Sequence, residues 1–305
     1  MRDEWKQISS ELNHLLRREA ISCDFRIGLQ TTYRTVGTCS LFLNAMNDGE
    51  LNHAIKFCQS NDIEIAVIGN GSNLLIADEG FPGLIIKLGD DFENVIFDGD
   101  RLHVGAACKL PVLARMASSK GLTGFEWAVG VPGTIGGAIR MNAGGHGSDM
   151  SSNIESVDLI EVSTGTAKTL LSSELLFGYR RSAITQDYLV TQAVLKLNEG
   201  DSEESLGVIK DIVRWRLENQ PGGHNAGSVF TNPKEISAGR LIDDAGCKGL
   251  RVGTAEVSNK HANFIQVDPR GKAQDVIDLM ELIQERVMSK HGIILEAETQ
   301  MIGFS

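Results

Sequence analysis

Arg180, Ser228 and Glu298 are the side chains whose types and neighbours best suit them to chemistry. Arg180 lies in the run Tyr179-Arg-Arg-Ser182 beside an apolar segment. Its planar guanidinium fork matches a carboxylate or a phosphate. On pattern alone it is as readily a surface salt-bridge arginine. Ser228 lies in Asn225-Ala-Gly-Ser-Val-Phe230, where small neighbours clear space around a hydroxyl. No Gly-x-Ser-x-Gly elbow surrounds it, which argues against a hydrolase nucleophile and leaves a turn serine as the plainer alternative. Glu298 falls near the end of the chain, with a solvated strand carboxylate as its alternative. His146, His224 and His261 lie in loop-like sequence and read first as hydrogen-bonded structural residues.

Residues that could hold a large anionic ligand form two further groups. Seven glycines fall between Gly130 and Gly147. Bare backbone permits close approach, and successive peptide N–H groups make anion-binding concavities. We expect this stretch to hold the phosphates of a cofactor, against the alternative of tight turns between short strands. The second group, Gly69-Asn-Gly-Ser-Asn-Leu-Leu75, follows a short apolar run. A dinucleotide fingerprint would need a third glycine and an opening helix. Leu74 stands at that glycine position, and the breakers Ala77-Asp-Glu-Gly-Phe-Pro-Gly83 follow. Loop backbone rather than a Rossmann helix is therefore expected to grip a nucleotide, with a plain turn as the alternative. A third glycine-rich loop runs from Gln220 to Pro233.

The elements that must position these residues read as a mixed α+β chain. The 305 residues suggest two or three domains. Apolar spacing predicts helices over residues 1–20, 50–59, 110–120, 205–219, 238–245 and 272–290. In the fourth of these, Val208, Ile209, Ile212, Val213 and Trp215 or Leu217 are expected inward. Strands are expected at 40–43, 63–68, 83–87, 188–197 and 264–267, and a closing strand at 293–302 includes Glu298. Asp98-Gly-Asp100 and Ser163-Thr-Gly165 signal hairpins. Close-set strands argue for much antiparallel pairing rather than βαβ alternation. A domain boundary is expected near the acidic turn 200–204.

Composition excludes several classes. The net charge is −11 with no basic run, so an electrostatic nucleic-acid binder is set aside. No apolar run reaches the roughly 18 residues of a membrane span. The N-terminus lacks a charged-then-apolar leader, and a cytoplasmic protein is expected. The five cysteines are scattered, and neither they nor the seven histidines show metal-ligand spacing.

Taken together, the motifs resemble the UDP-N-acetylenolpyruvoylglucosamine reductase (MurB) family. The matching segments are Thr31-Thr-Tyr-Arg34, Gly69 to Leu75 with Glu79-Gly-Phe-Pro-Gly83, Gly124 to Ala138 and Met141-Asn-Ala-Gly-Gly145. Tyr179-Arg-Arg-Ser182, Pro221 to Pro233, Lys260-His-Ala-Asn-Phe264 and Glu298 complete the set in family order. Val36-Gly-Thr-Cys-Ser40 departs from the family's Gly-Gly-Pro-Ala, and Ala297 replaces a proline. No inserted tyrosine-bearing capping loop is seen, so the chain resembles the shorter type.

The resemblance implies an FAD enzyme of peptidoglycan precursor synthesis, with NADPH as co-substrate. It implies an α+β fold with a two-domain FAD-binding body of the vanillyl-alcohol-oxidase (PCMH) kind, not Rossmann, plus a C-terminal α+β substrate domain. The corresponding spans are 1–88, 89–203 and 204–305. The family reduces the enolpyruvyl group of UDP-N-acetylglucosamine enolpyruvate to UDP-N-acetylmuramate, with hydride leaving reduced flavin N5. By position, Ser228 matches the proton donor, Arg180 the carboxylate-polarising arginine and Glu298 the acidic partner. Arg34, Gly69, Asn70, Gly71, Ser72, Asn73, Gly130, Pro132, Gly133, Thr134, Gly136, Gly137, Asn142 and Gly145 match cofactor contacts. Tyr179, Arg180, Asn232, Lys260, His261 and Asn263 match substrate contacts. A monomer without metal, nucleic acid or membrane partner is expected. An FAD-dependent oxidase of a sugar or hydroxy acid in the same superfamily, or a non-catalytic flavin or UDP-sugar binder, are the competing readings.

Overall fold

The computed structural model describes residues 2–304. They fall into two compact units. The first takes the chain up to Cys23, then Leu41–Asn70 and Gly83–Arg216; the second takes Asp24–Ser40, Gly71–Pro82 and everything from Leu217.

In the first unit, helix α1 (Arg2–Leu16) buries Leu12 and Leu16, while Leu15 stays 40% exposed. The helix expected from residue 50 starts earlier: α2 spans Asp48–Ser60, because the Asn47 side chain accepts a hydrogen bond from Glu50 N at 3.0 Å. Its buried face is Leu51, Ala54, Ile55 and Cys58, the face its spacing predicts. A four-stranded sheet runs in the order Ile21–Phe25, Cys39–Ala45, Phe81–Leu88, Ile65–Ile68, and its last pair is parallel with Ile65 opposite Leu84.

A five-stranded antiparallel sheet follows the order Thr166–Leu171, Ile154–Glu161, Tyr188–Lys196, Arg101–Gly105, Val95–Asp98. Both expected hairpins are present, closed by Asp98 opposite Arg101 and Glu161 opposite Thr166. Helix α3 (Leu110–Ser119) buries Leu110, Leu113, Ala114 and Ala117. The glycine stretch is not all loop. A 3₁₀ turn over Glu126–Gly130 leads to a short helix α4 (Ile135–Arg140), and the strands Gly144–Gly145 and Ser148–Asp149 follow. Gly136 and Gly137 each disfavour a helix by roughly 1 kcal/mol relative to alanine, which hid it from the spacing analysis. Burial of Ile135, Ala138 and Ile139 offsets that cost.

Helix α5 (Ser202–Asn219) buries Ile209 and Ile212 as expected. Val208, Trp215 and Leu217 do not point inward: they are 45%, 46% and 74% exposed.

The second unit has its own apolar core. Helix α7 (Ala273–His291) buries Val276, Leu279, Met280, Ile283 and Val287. It packs against α6 (Ala238–Asp244) and the antiparallel strands Arg251–Val252, Ala255–Val257 and Ile265–Val267. Tyr33 and Leu75 belong to this same core, which is why two early segments join the C-terminal part. The Asp78 carboxylate caps α7 by accepting from Ala273 N at 2.8 Å and Gln274 N at 3.1 Å. The closing strand expected over 293–302 is reduced to Gln300–Ile302, which pairs in parallel with Leu74–Ile76. Residues before it leave strand geometry because their backbone bonds the loop carrying Ser228 instead: Thr231 N donates to Glu296 O and Glu298 N to Val229 O. No helix among the described residues is long and apolar enough to cross a membrane.

Candidate active site

The first unit holds ten of the fourteen cofactor positions: Gly69, Asn70, Gly130, Pro132, Gly133, Thr134, Gly136, Gly137, Asn142 and Gly145. Gly69, Asn70, Thr134, Gly136 and Gly137 line one cavity. Its wall is bare for a reason: a Cβ on Gly69 would sit 2.3 Å from Thr134 Oγ1. Asn70 Nδ2 donates to Pro132 O at 2.6 Å and so ties the two loops together. Ile135 N and Gly136 N donate to Cys108 O and Ala106 O, both at 2.9 Å, which fixes the start of α4 on the adjoining strand end.

Asn142 is not a bare contact. Its Nδ2 donates to Gly178 O at 3.0 Å and to Asp149 Oδ2 at 3.2 Å, and its Oδ1 accepts from Ser151 N at 3.0 Å. With φ +40° and its side chain buried, it braces the glycine stretch against the segment carrying Arg180. Arg180 itself has φ +56° and donates through its terminal nitrogen to Gly144 O at 3.0 Å. Its guanidinium lies 5.1 Å from the ring centroid of the exposed Tyr179.

Three residues in this unit went unnoticed in the sequence. Lys87, Lys109 and Arg140 line the same cavity as the glycines. Burial pushes the Arg140 guanidinium below its ordinary pKa. No motif marks them, because each is separated in sequence from the others and brought together only by the sheet and α4. His146 packs edge-on against Trp215 at 5.1 Å, and burial together with Arg216 pushes its pKa down.

The second unit carries Arg34, Gly71, Ser72 and Asn73 of the cofactor set, and Ser228, Glu298, Asn232, Lys260, His261 and Asn263. Gly71 sits at φ +64°, where a Cβ would meet Thr31 Cα at 2.7 Å, so glycine is required there. Its carbonyl accepts from Thr32 N at 3.0 Å, next to the exposed Arg34.

The half-buried Ser228 is held by its neighbours rather than by a cap. Val229 N donates to Asn263 O at 2.9 Å, and Val229 O accepts from Glu298 N at 2.7 Å. Phe230 is clamped on both backbone atoms by the Asn263 amide, at 3.0 and 2.8 Å. Asn73 Nδ2 donates to Glu298 O at 3.0 Å, and Gln300 N returns to Asn73 O at 2.9 Å. One hydrogen-bonded frame thus gathers the segments of Asn73, Ser228, Asn263 and Glu298.

Asn263 is 3% exposed, so it serves this frame. Asn232 Oδ1 accepts from Ala238 N at 3.0 Å at the start of α6. His261 Nδ1 accepts from Asn263 N at 3.2 Å, and burial with nearby Lys248 pushes its pKa down. Lys260 Nζ donates to Leu217 O at 2.6 Å.

A hydroxyl and a carboxylate on one rigid frame, and a glycine-walled cavity with cations in the other unit, suit a nucleotide cofactor and proton delivery. Comparison with known proteins decides the assignment. Residues 219–302 match the model of the UDP-N-acetylenolpyruvoylglucosamine reductase C-terminal domain, and residues 40–170 match an FAD binding domain. The reductase of that name from Clostridioides difficile is 33% identical over 98% of this chain and 98% of its own length. The chain belongs to the UDP-N-acetylenolpyruvoylglucosamine reductase family.

The Heliobacterium modesticaldum reductase is 39% identical over 90% of this chain and 88% of its own. The crystal structure of the Thermus caldophilus reductase matches with a TM-score of 0.79 at 35% identity, covering 92% of this chain and 98% of that one. Berberine bridge enzyme from Eschscholzia californica, at 17% identity and a TM-score of 0.50 over 64% of this chain, shares the fold. The FAD-binding body is thus of the expected kind, and a Rossmann fold is excluded.

Proposed function

We propose that this chain is the FAD-containing, NADPH-dependent reductase of UDP-N-acetylglucosamine enolpyruvate, forming UDP-N-acetylmuramate for peptidoglycan synthesis. The observation that carries this reading is the frame that fixes Ser228 and Glu298 within a chain matching the family along nearly its whole length. The residues present fit FAD: the cavity is walled by glycine backbone and lined by Lys87, Lys109 and Arg140 against the single lining carboxylate Glu93 among the described residues. Such a lining suits a dinucleotide diphosphate.

When bound, FAD supplies the hydride chemistry, accepting from NADPH and donating to the enolpyruvyl group. The remaining work belongs to the chain. Arg180 orients the substrate carboxylate and stabilises the negative charge that develops beside it, a role for which a preorganised guanidinium is suited. Ser228 O–H delivers the proton to the adjacent carbon. A serine is a weak acid in water, so its position must be fixed, and the Val229 and Asn263 bonds fix it. Glu298 is the acidic partner. Tyr179, Asn232, Lys260, His261 and Asn263 serve the sugar nucleotide, Asn263 by bracing. The substrate domain is taken as 204–305 and the FAD-binding body as 1–88 with 89–203, while the second compact unit runs from Leu217 and also takes Asp24–Ser40 and Gly71–Pro82. A cytoplasmic monomer is part of this reading, and the net charge of −11 argues against an electrostatic nucleic-acid partner.

Anaerobic stopped-flow half-reactions test this. NADPH should bleach the bound flavin, and the enolpyruvyl UDP-sugar should restore its colour. Ser228→Ala should keep the bleaching and lose the recovery. Equal loss in both halves removes Ser228 as proton donor. Rapid recovery with oxygen alone would instead identify an oxidase.

A further inference from the structure

Arg140 has no role in the proton and carboxylate chemistry above, yet it occupies an expensive position. It is the last residue of α4 and lines the glycine-walled cavity together with Ile184, Tyr188 and Val190. Burial depresses its pKa, and only Asp187 opposes that through charge. Asp187 makes no ion pair with it; that carboxylate accepts from Thr185 Oγ1 at 2.9 Å. Among the described residues the Arg140 guanidinium makes neither an ion pair nor a side-chain hydrogen bond. A cation withdrawn from water without a partner is destabilising, and proteins keep one where a ligand supplies the counter-charge. Lys87 and Lys109 face the same space against Glu93 alone, in a chain of net charge −11. The positive lining is therefore local and opposite in sign to the whole.

We propose that Arg140 is the diphosphate-recognition residue of the cofactor cavity, pairing its guanidinium fork with the phosphates of FAD and so selecting the dinucleotide over flavins that lack them. This rests on the FAD reading above. The fork geometry suits two phosphate oxygens at once, which an ammonium does not reproduce. The apoprotein therefore holds an uncompensated charge that FAD neutralises.

The test measures FAD and riboflavin binding to apoprotein by quenching of flavin fluorescence, for the wild type, Arg140→Met and Arg140→Lys. Quenching by the wild type checks the FAD reading by itself; only the differences between variants bear on Arg140. Arg140→Met should weaken FAD about 10- to 100-fold, as expected for a lost charge-assisted pair. Riboflavin affinity should not change, and Arg140→Lys should lie between. Added salt should weaken FAD binding to the wild type more than to Arg140→Met. The Arg140→Met apoprotein should melt at or above the wild-type apoprotein, since an unpaired, half-buried charge is gone. Unchanged FAD affinity overturns the proposal, as does equal weakening of riboflavin and FAD. So does a rise in the NADPH concentration needed for half-maximal bleaching at saturating FAD with FAD affinity intact, because the phosphate recognised would then be the co-substrate's. Should Arg140→Met fail to fold, Arg140→Lys carries the same FAD-against-riboflavin comparison and the same outcomes.

Discussion

The two units solve different problems with different materials. The cavity of the first unit is built from missing side chains and surplus charge: Gly69, Gly136 and Gly137 leave the wall bare, and Lys87, Lys109 and Arg140 line it. The frame of the second unit is built from amides with their bonding filled: Asn263 engages both backbone atoms of Phe230, and Asn73 links Glu298 and Gln300. Asn142 and Asn153 bring the second strategy into the first unit. A region that must accept a large anion leaves capacity open. On the proposed reading, a region that must aim one hydroxyl spends its capacity on itself.

If that contrast holds, the largest effect on turnover should come from the open, charge-bearing side. Arg180→Lys keeps the charge but loses the fork, which can hold Gly144 O with one N–H and still offer two others to a carboxylate. We expect recovery of flavin colour by the enolpyruvyl sugar to slow by about 10²- to 10³-fold, the usual cost of one oriented donor. Bleaching by NADPH should change far less. Near-normal recovery would mean that charge alone suffices there.

The filled frame should fail in stability before it fails in binding. Asn263→Leu leaves the Phe230 N–H and carbonyl without partners inside a site only 3% exposed at residue 263. Roughly 2–4 kcal/mol of unfolding free energy should be lost, at about 1–3 kcal/mol for each unsatisfied group. Urea unfolding with unchanged m-value checks it. A loss under 1 kcal/mol with wild-type slope would show that the frame is redundant.

A third substitution probes the bare wall by filling it. Gly69→Ala places a methyl 2.3 Å from Thr134 Oγ1, and Thr134 is buried at 6% exposure. Overpacking of this kind costs roughly 1–3 kcal/mol, and FAD affinity measured by fluorescence quenching should fall with it. Adding Thr134→Ala removes the clashing hydroxyl and should restore most of the loss, so the two changes should be non-additive. Additive losses would mean that Gly69 matters for its backbone conformation rather than for the space it leaves.

The sequence made the units unequally legible. Strongly periodic segments such as α7 and the hairpins at Asp98 to Arg101 and Glu161 to Thr166 were read directly, because each satisfies its own bonding locally. Helix α4 was hidden by its glycines, and the segment before Gln300 was misread as strand because its partners are the residues 229–231 loop, far away in sequence. Ser228, Glu298 and Asn263 were findable as motif residues, but spacing could not show that Asn263 acts by bracing. Arg140, Lys87 and Lys109 carry no motif at all: a lone cation in sequence is indistinguishable from a surface one until burial removes its water.

The smallest expected effect is a pH dependence that the two units share for the same physical reason. His261 in the second unit is pushed below its ordinary pKa first by burial and then by Lys248, and its Nδ1 accepts from Asn263 N, which requires the unprotonated ring. His146 in the first unit is pushed down by burial and then by Arg216. Each therefore binds its proton less readily in the folded state than in the unfolded chain, whose value lies near 6.5. Stability from these neutral rings is complete above about pH 6.5 and is lost as pH falls from there through the folded value, because the unfolded chain takes up the protons first. Melting temperature followed from pH 7.5 to 5 should fall less steeply in His261→Gln and in His146→Gln than in the wild type. The double variant should be flatter than either, since the two rings belong to different units and have different partners, Asn263 for His261 and Trp215 for His146. The slope change should be larger for His261, whose Asn263 bond ties protonation to the Ser228 frame, than for His146, whose ring contact with Trp215 survives protonation. An unchanged slope in His261→Gln would mean that the ring is solvated well enough to carry charge, and the frame would then be looser on that side than its hydrogen bonds imply.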